Sequence, residues 1–243
     1  MKKLIQILIV LFFAIPTFAG DTYYIDDAGS NGNGGTGCAD AWATFAYAFG
    51  RMRAGDTLYI CDGTYTEQLS GMPSGTIGDH TEIYAVNPYG VLLDGEDSRT
   101  PLVVSSKSYV DIRGIRAKDG LGSYGNHVIY LTGSSNITVK QCGAWNAGTY
   151  KHNMPFAMTG CSSCLVEDVY VFGRGRYSIY DFNGSGNTLR RVVARWDFAH
   201  IQRNRLQEYQ SIILKTTSLK IVSSSTPTTN PRLSNRVLRF TLT

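Results

Sequence analysis

Four stretches of this chain, residues 102–117, 129–144, 156–171 and 179–194, superimpose at offsets of 27, 27 and 23 residues. Their aligned columns are apolar: Leu102, Ile129, Phe156, Ile179; then Ile112, Val139, Val166, Leu189; then Ile115, Cys142, Val169, Val192; then Ala117, Ala144, Val171, Ala194. A further column, Val104, Leu131, Met158, ends in a polar break at Asp181. Within each unit apolar and polar positions alternate, as in Val110-Asp-Ile112-Arg, and a period of two is the mark of a strand. A two-residue shift of phase at Arg113-Gly114 signals a turn between two short strands. Leu58-Tyr-Ile60 and Ile83-Tyr-Ala85 extend the pattern backwards, at offsets of 25 and then 27 to Val110 and Ile112. A unit of this length cannot bury its own apolar side, so stacking of units makes the core. The expected fold is all-β, a right-handed parallel β-helix of about six coils, a rod of about 30 Å at roughly 4.8 Å per coil. An antiparallel sandwich gives no reason for whole units to align column by column.

The open end of such a stack exposes unpaired strand and core, and needs a cover. Residues 41–52 supply one, because Phe45, Ala48, Phe49 and Met52 fall at i, i+3, i+4 and i+7, one face of a helix. Asp40 is the predicted N-cap of this short capping helix, and Gly55 stops the chain beyond it. The opening Tyr23-Tyr24-Ile25-Asp26, the Gly/Asn loop over 29–37, the alanine-aromatic helix and the run Ala-Gly-Asp-Thr-Leu-Tyr-Ile-Cys-Asp-Gly-Thr-Tyr-Thr-Glu over 54–67 follow one another. Together they resemble the first coil of secreted right-handed β-helix proteins of the pectate-lyase-like superfamily, with the chondroitinase B and alginate lyase group as the nearest enzymes. The resemblance covers about residues 22–198. It implies a polysaccharide partner and β-elimination on an acidic glycan, with a Lys and an Arg at the reacting sugar and calcium held by Asn and Glu side chains.

Charge divides the chain. Residues 1–186 hold 13 Lys+Arg against 17 Asp+Glu, whereas residues 187–243 hold 10 against 2 and none of the 26 glycines. Lys2 and Lys3, the apolar run to Ile15 and Thr17-Phe18-Ala19 read as an export signal over residues 1–19, cut after Ala19. The apolar run is too short to span a bilayer, and no other segment is apolar enough to try. The expected protein is therefore secreted or periplasmic, with a β-helix domain over 20–198 and an irregular basic segment over 199–243, read either as a flexible tail that binds an anionic surface or polymer or as a truncated or out-of-frame end. Nucleic-acid binding would rest only on that last segment and is rejected for the folded body. The low charged fraction, 17%, and the abundant glycine exclude a coiled coil and an acidic disordered chain. Export permits disulfides among Cys38, Cys61, Cys142, Cys161 and Cys164, although the odd count leaves at least one unpaired. Cys161-Ser-Ser-Cys164 has the spacing of a metal knuckle or a redox pair, but without a second ligand pair these read as small core residues.

Outward columns of a stacked sheet bring side chains of successive coils about 5 Å apart. Arg113, Lys140, Glu167 and Arg190 form one such column, read either as a cationic track or as an ion-pair ladder with Glu167 between its cations. Lys118, Trp145, Phe172 and Arg195 form a second, where aromatic faces suit sugar rings and cations suit carboxylates. The long loops that follow carry the reactive groups. β-Elimination needs a cation on the uronate carboxylate, a base for the C5 proton and an acid for the leaving oxygen. Lys151, His152, Arg174, Arg176 and Tyr177 are the residue types for that work. Glycoside hydrolysis would instead use carboxylates, with Asp168, Asp181 and Asp197 as candidates. A non-catalytic glycan-binding or adhesion module would use the same outward columns.

Overall fold

The computed structural model of the chain describes residues 20–148 and 152–195, together with the main chain of Ile212–Thr216, Val222–Ser223 and Val237–Thr241. The expected export signal over residues 1–19, and most of the segment 199–243, lie outside the described residues.

Short strands alternate among three sheets. The first sheet stacks Thr22–Ile25, Thr57–Ile60, Thr81–Ala85, Ser108–Arg113, Ser135–Lys140, Leu165–Glu167 and Thr188–Arg190, every neighbour parallel. The second stacks Gly63–Tyr65, Val91–Asp94, Ile115–Lys118, Gly143–Trp145, Tyr170–Phe172 and Val192–Arg195, also parallel. The third stacks Leu102–Ser105, Ile129–Thr132, Phe156–Thr159, Ile179–Gly184 and Ile212–Thr216. From Leu102 onward the chain visits the third, first and second sheets in turn, and this is a parallel β-helix, as the repeat and the opening motif lead one to expect. Val237–Thr241 ends the second sheet differently, pairing antiparallel with Val192–Arg195.

The columns read from the sequence are the columns of the core. Leu102, Ile129, Phe156 and Ile179 are fully buried and in register, and so are Ile112, Val139 and Ile115 with their partners. Corners between sheets recur at fixed places as left-handed residues. Gly114, Gln141, Asp168 and Arg191 have φ of 79°, 53°, 55° and 51° between the first and second sheets. A side chain with a polar group tolerates this conformation where glycine is absent, which is how the turn persists as its residue type changes.

Two details of the reading are corrected. Ile83 pairs with Ile112 and Thr81 with Val110, so this coil is two residues longer than the offset of 27 implies. Period-two alternation is blind to a slip of two, and the result places Thr81 in the core with its hydroxyl unpartnered. The capping helix runs Phe45–Phe49, shorter than expected, and Thr44 rather than Asp40 is its N-cap, accepting from the Tyr47 N–H at 3.2 Å. Glu67 reinforces that end, accepting from the N–H groups of Phe45 and Ala46 at 2.7 and 3.0 Å. Asp40 instead ties the preceding loop, accepting from Gly34 N–H and the Thr36 hydroxyl. The face itself is as expected, with Phe45, Ala48, Phe49 and Met52 buried. A disulfide joins Cys38 to Cys61, Cα atoms 5.8 Å apart, and pins this cap to the first sheet; Cys142, Cys161 and Cys164 are buried free thiols.

Candidate functional site

The third sheet carries outward aromatic side chains at its C-terminal end. Strand alternation that buries Ile179 and Asp181 turns Tyr180 and Phe182 out. Tyr177, at the end of the preceding loop, stacks on Tyr180 at 6.0 Å and 9°, and Tyr180 stacks on Phe182 at 5.8 Å and 9°. Above this ladder the described parts of loops from three successive coils converge: 119–128 with Tyr124, Gly125 and His127, 152–155 with His152 and Met154, and 173–178 with Arg176 and Tyr177. With Thr159, these residues line a cleft of about 400 Å³.

Arg176 dominates its electrostatics. Its guanidinium lies 5.0 Å from the centre of the Tyr177 ring and donates to His152 Nδ1 at 2.7 Å. A guanidinium has donors only, so the Nδ1 lone pair must accept and the His152 imidazole is neutral with its proton on Nε2. Tyr124 packs against that imidazole at 4.9 Å. His127 is fixed in the same tautomer by a different route, since its Nδ1 accepts from the Met154 N–H at 3.2 Å. Burial pushes its pKa down to about 4, so it too stays neutral. Burial likewise raises the Tyr180 phenol, the nearby Tyr177 adds to this, and Arg176 opposes it. Among its described lining residues the cleft thus offers one cation, two neutral imidazoles, three phenols and a flat aromatic wall, and no carboxylate.

Of the five residues expected to carry elimination, His152, Arg176 and Tyr177 meet here. Arg174 does not: it points to the acidic corner after the second sheet, 3.3 Å from Asp97 and 3.8 Å from Asp119. Lys151 lies outside the described residues. Sequence reasoning missed Tyr180, Phe182 and Thr159, which the outward columns of the third sheet would have revealed had they been read as the other two sheets were.

The expected sugar-binding column is in register on the second sheet, with Lys118, Trp145 and Phe172 opposite one another. Trp145 and Phe172 stack at 5.4 Å and 7°, and the Arg195 guanidinium lies 5.4 Å from the Phe172 ring centre. Tyr170 extends the cluster because Gly143 leaves room for its ring; a Cβ on Gly143 would stand 2.1 Å from a Tyr170 ring carbon. Lys118, however, is held at 2.8 Å by Asp94 and 2.9 Å by Asp119. Its charge is already answered.

Of the hydrolase carboxylates, the two described ones, Asp168 and Asp181, are each engaged with other partners. Asp168 is paired with Arg191 at 2.5 and 2.8 Å, which draws its carboxyl below the usual range. Asp181 is fully buried and faces the core, accepting from Asn187 Nδ2 at 3.2 and 3.1 Å. Asp197 lies outside the described residues. Calcium fares no better at the cleft, because a hard cation wants carboxylate and carbonyl oxygens and this lining is phenolic, imidazole and cationic. Three members of the first column, Lys140, Glu167 and Arg190, form the ion-pair ladder: buried Glu167 pairs with Lys140 at 2.8 Å and accepts from Arg190 at 2.7 Å and from Arg191, and its pKa falls to about 2, whereas Arg113 donates instead to Gln141 Oε1 at 2.7 Å.

No protein-family profile matches the sequence. The chain is 32% identical over 132 residues to the uncharacterized protein YwoF of Bacillus subtilis (strain 168), an alignment covering 50% of this chain and 28% of that one. The chain therefore spans well under a third of this relative's length. Among solved structures it is similar to a rhamnogalacturonan lyase (18% identity, TM-score 0.46, 71% of this chain and 55% of that one). It is also similar to the GH136 lacto-N-biosidase from Eubacterium ramulus (11%, 0.48, 70% and 41%) and to the pectate lyase Pel9A (17%, 0.43, 72% and 63%).

Proposed function

We propose that this is an exported, carbohydrate-active β-helix protein that binds an acidic polysaccharide and cleaves it by β-elimination at the third-sheet cleft. The observation that carries the reading is Arg176, a guanidinium held at 2.7 Å by a neutral imidazole over a flat aromatic wall. Aromatic faces stack on the apolar faces of sugar rings, and a cation beside them selects a ring that bears a carboxylate. When Arg176 turns to a uronate carboxylate it leaves His152 Nδ1, and that lone pair becomes free to take the C5 proton. Arg176 meanwhile neutralises the carboxylate on which negative charge develops. The phenols of Tyr177 and Tyr124 border the same cleft and supply a proton to the departing glycosidic oxygen. No step runs through calcium. The Trp145–Phe172 stack with Arg195 serves as a further sugar platform on the second sheet. The Cys38–Cys61 disulfide is in keeping with an oxidising, extracytoplasmic site of action.

The test is absorbance near 235 nm from unsaturated uronate products, screened over alginate, pectate and chondroitin, with and without chelator. Product that survives chelation is expected. Retained binding without product from any polymer would instead establish the glycan-binding module, and neither binding nor product would overturn the carbohydrate reading altogether.

A further inference from the structure

The two outward columns of the second sheet treat charge differently. In one, Asp94 stands in register with Lys118, and Asp94 and Asp119 together hold the Lys118 ammonium at 2.8 and 2.9 Å. In the other, Arg116 stands in register between Leu92 and Gly143, and Tyr170 follows Gly143. From Thr64 to Val193 that column holds no carboxylate. Arg116 Nε is buried without a hydrogen-bond partner, and the guanidinium pairs with no carboxylate among the described residues.

Gly143 decides what lies beside this cation. The Tyr170 ring folds back over the glycine, where a Cβ would stand 2.1 Å from its Cζ and 2.4 Å from its hydroxyl oxygen. The phenol end is thereby carried to within one strand of Arg116. Burial raises the Tyr170 phenol, and the Arg116 charge opposes that shift. Tyr170 also stacks with Trp145 at 6.4 Å and with Phe172 at 6.0 Å. Tyr89, exposed between the strands Thr81–Ala85 and Val91–Asp94, packs against it at 5.8 Å. A desolvated guanidinium donor without an acceptor is costly to keep. A carboxylate docked there would supply the acceptor, in the bidentate geometry a guanidinium favours.

We propose that Arg116, with Tyr170 and Tyr89, forms a second, non-catalytic subsite for a carboxylate-bearing sugar of an acidic glycan, apart from the third-sheet cleft. This rests on the reading of the second-sheet rings as a sugar platform, and it adds the group that gives the platform its charge preference. The rings take the apolar faces of the sugars and Arg116 selects the acid. A nucleic-acid strand also offers rings and anions, but its affinity comes from many phosphate contacts, and one unpaired cation is too few.

The test follows quenching of Trp145 fluorescence, taken as the signal absent from Trp145→Phe, in protein that also carries Arg176→Ala so that the cleft does not consume the probe. Galacturonate and mannuronate tetramers and their methyl esters are the probes. Expected is at least one acid bound about tenfold or more tighter than its ester, with Arg116→Gln bringing that acid down to the ester's affinity. Arg116→Lys should keep part of the preference, since it retains the charge and loses the fork. Acid and ester bound equally would overturn the proposal and leave the platform standing, whereas no quenching by any probe would overturn both. A preference that survives Arg116→Gln would also overturn the proposal, and so would a thymidylate tetramer bound as tightly as the acids. Elimination is judged apart from this, by product absorbance with Arg176 intact.

Discussion

Arginine stands on two faces of this solenoid and does opposite things there. On the first sheet, Arg190 and Arg191 close on Glu167, a carboxylate 2% exposed that also holds Lys140. On the third sheet, Arg176 meets a neutral imidazole and an aromatic ring. The two settings differ in what answers the charge. A carboxylate cancels a guanidinium and leaves it nothing to offer a ligand, whereas a lone pair and a π face orient it and leave the charge in place. The sequence columns alone do not make this distinction, because Arg113, Lys140 and Arg190 form the more regular cationic series.

Exchange of the two roles by mutation gives the largest effects. Arg176→Ala and His152→Ala should each lower glycan turnover by about 10²-fold or more, with stability changed by no more than about 0.5 kcal/mol. Arg190→Ala should do the reverse, leaving turnover intact and lowering stability by about 1 kcal/mol, because its partner is buried but the guanidinium is half exposed. Initial rates and urea midpoints on the same preparations decide it. If Arg190→Ala costs activity as Arg176→Ala does, the contrast between the faces is wrong.

Glu167→Gln removes the centre of the ladder rather than one rung. Three cations then face each other around an amide, and a stability loss of about 2–3 kcal/mol is expected by urea denaturation, with the cleft unaffected.

Acid sharpens the comparison further. Glu167 has its pKa lowered to about 2 from 4.5, so its contribution is present above pH 4.5 and is lost as pH falls towards 2. His127, beside the cleft, is lowered to about 4 from 6.5, so its contribution is present above pH 6.5 and fades as pH falls through 4. Urea midpoints from pH 7 to 2.5 should therefore fall in two stages. Glu167→Gln should flatten the lower stage without abolishing it, since Asp94 and Asp168 are also lowered, and should leave the upper stage untouched.

What the sequence made legible follows from what a repeat can encode. Stacking demands that every coil present the same inward residue types, so the core columns and the corner positions were open to reading. A slip of two leaves that pattern unchanged, which is why the pairing of Ile83 was misplaced. The cleft depends on where three irregular loops converge, and no periodicity constrains a loop. His152, Arg176 and Tyr177 were found by residue type, but the same criterion admitted Arg174, whose direction is set by Asp97 and Asp119 in distant coils. Lys118 was misjudged as an available cation for a related reason. Its column partner Asp94 lies in the strand before the four aligned units, outside the repeat that defines the column.

Asp181 offers the smallest and most discriminating effect. It interrupts an apolar column, is fully buried, and desolvation raises its carboxyl above the ordinary 3.8 despite the opposing bond from Asn187. A raised acid favours the fold below its ordinary pKa and loses that advantage as pH rises through the folded value. Asp181→Asn removes the ionisation but sets an amide NH₂ against Asn187 Nδ2, which now donates to both carboxylate oxygens. That donor–donor contact is a cost independent of pH. The difference in stability between variant and native protein should therefore drift in the variant's favour between pH 4 and pH 7, whatever its offset. A difference that stays flat across that range would mean that Asp181 does not titrate there, and a drift in the other direction would mean that its charged form is the one the core prefers.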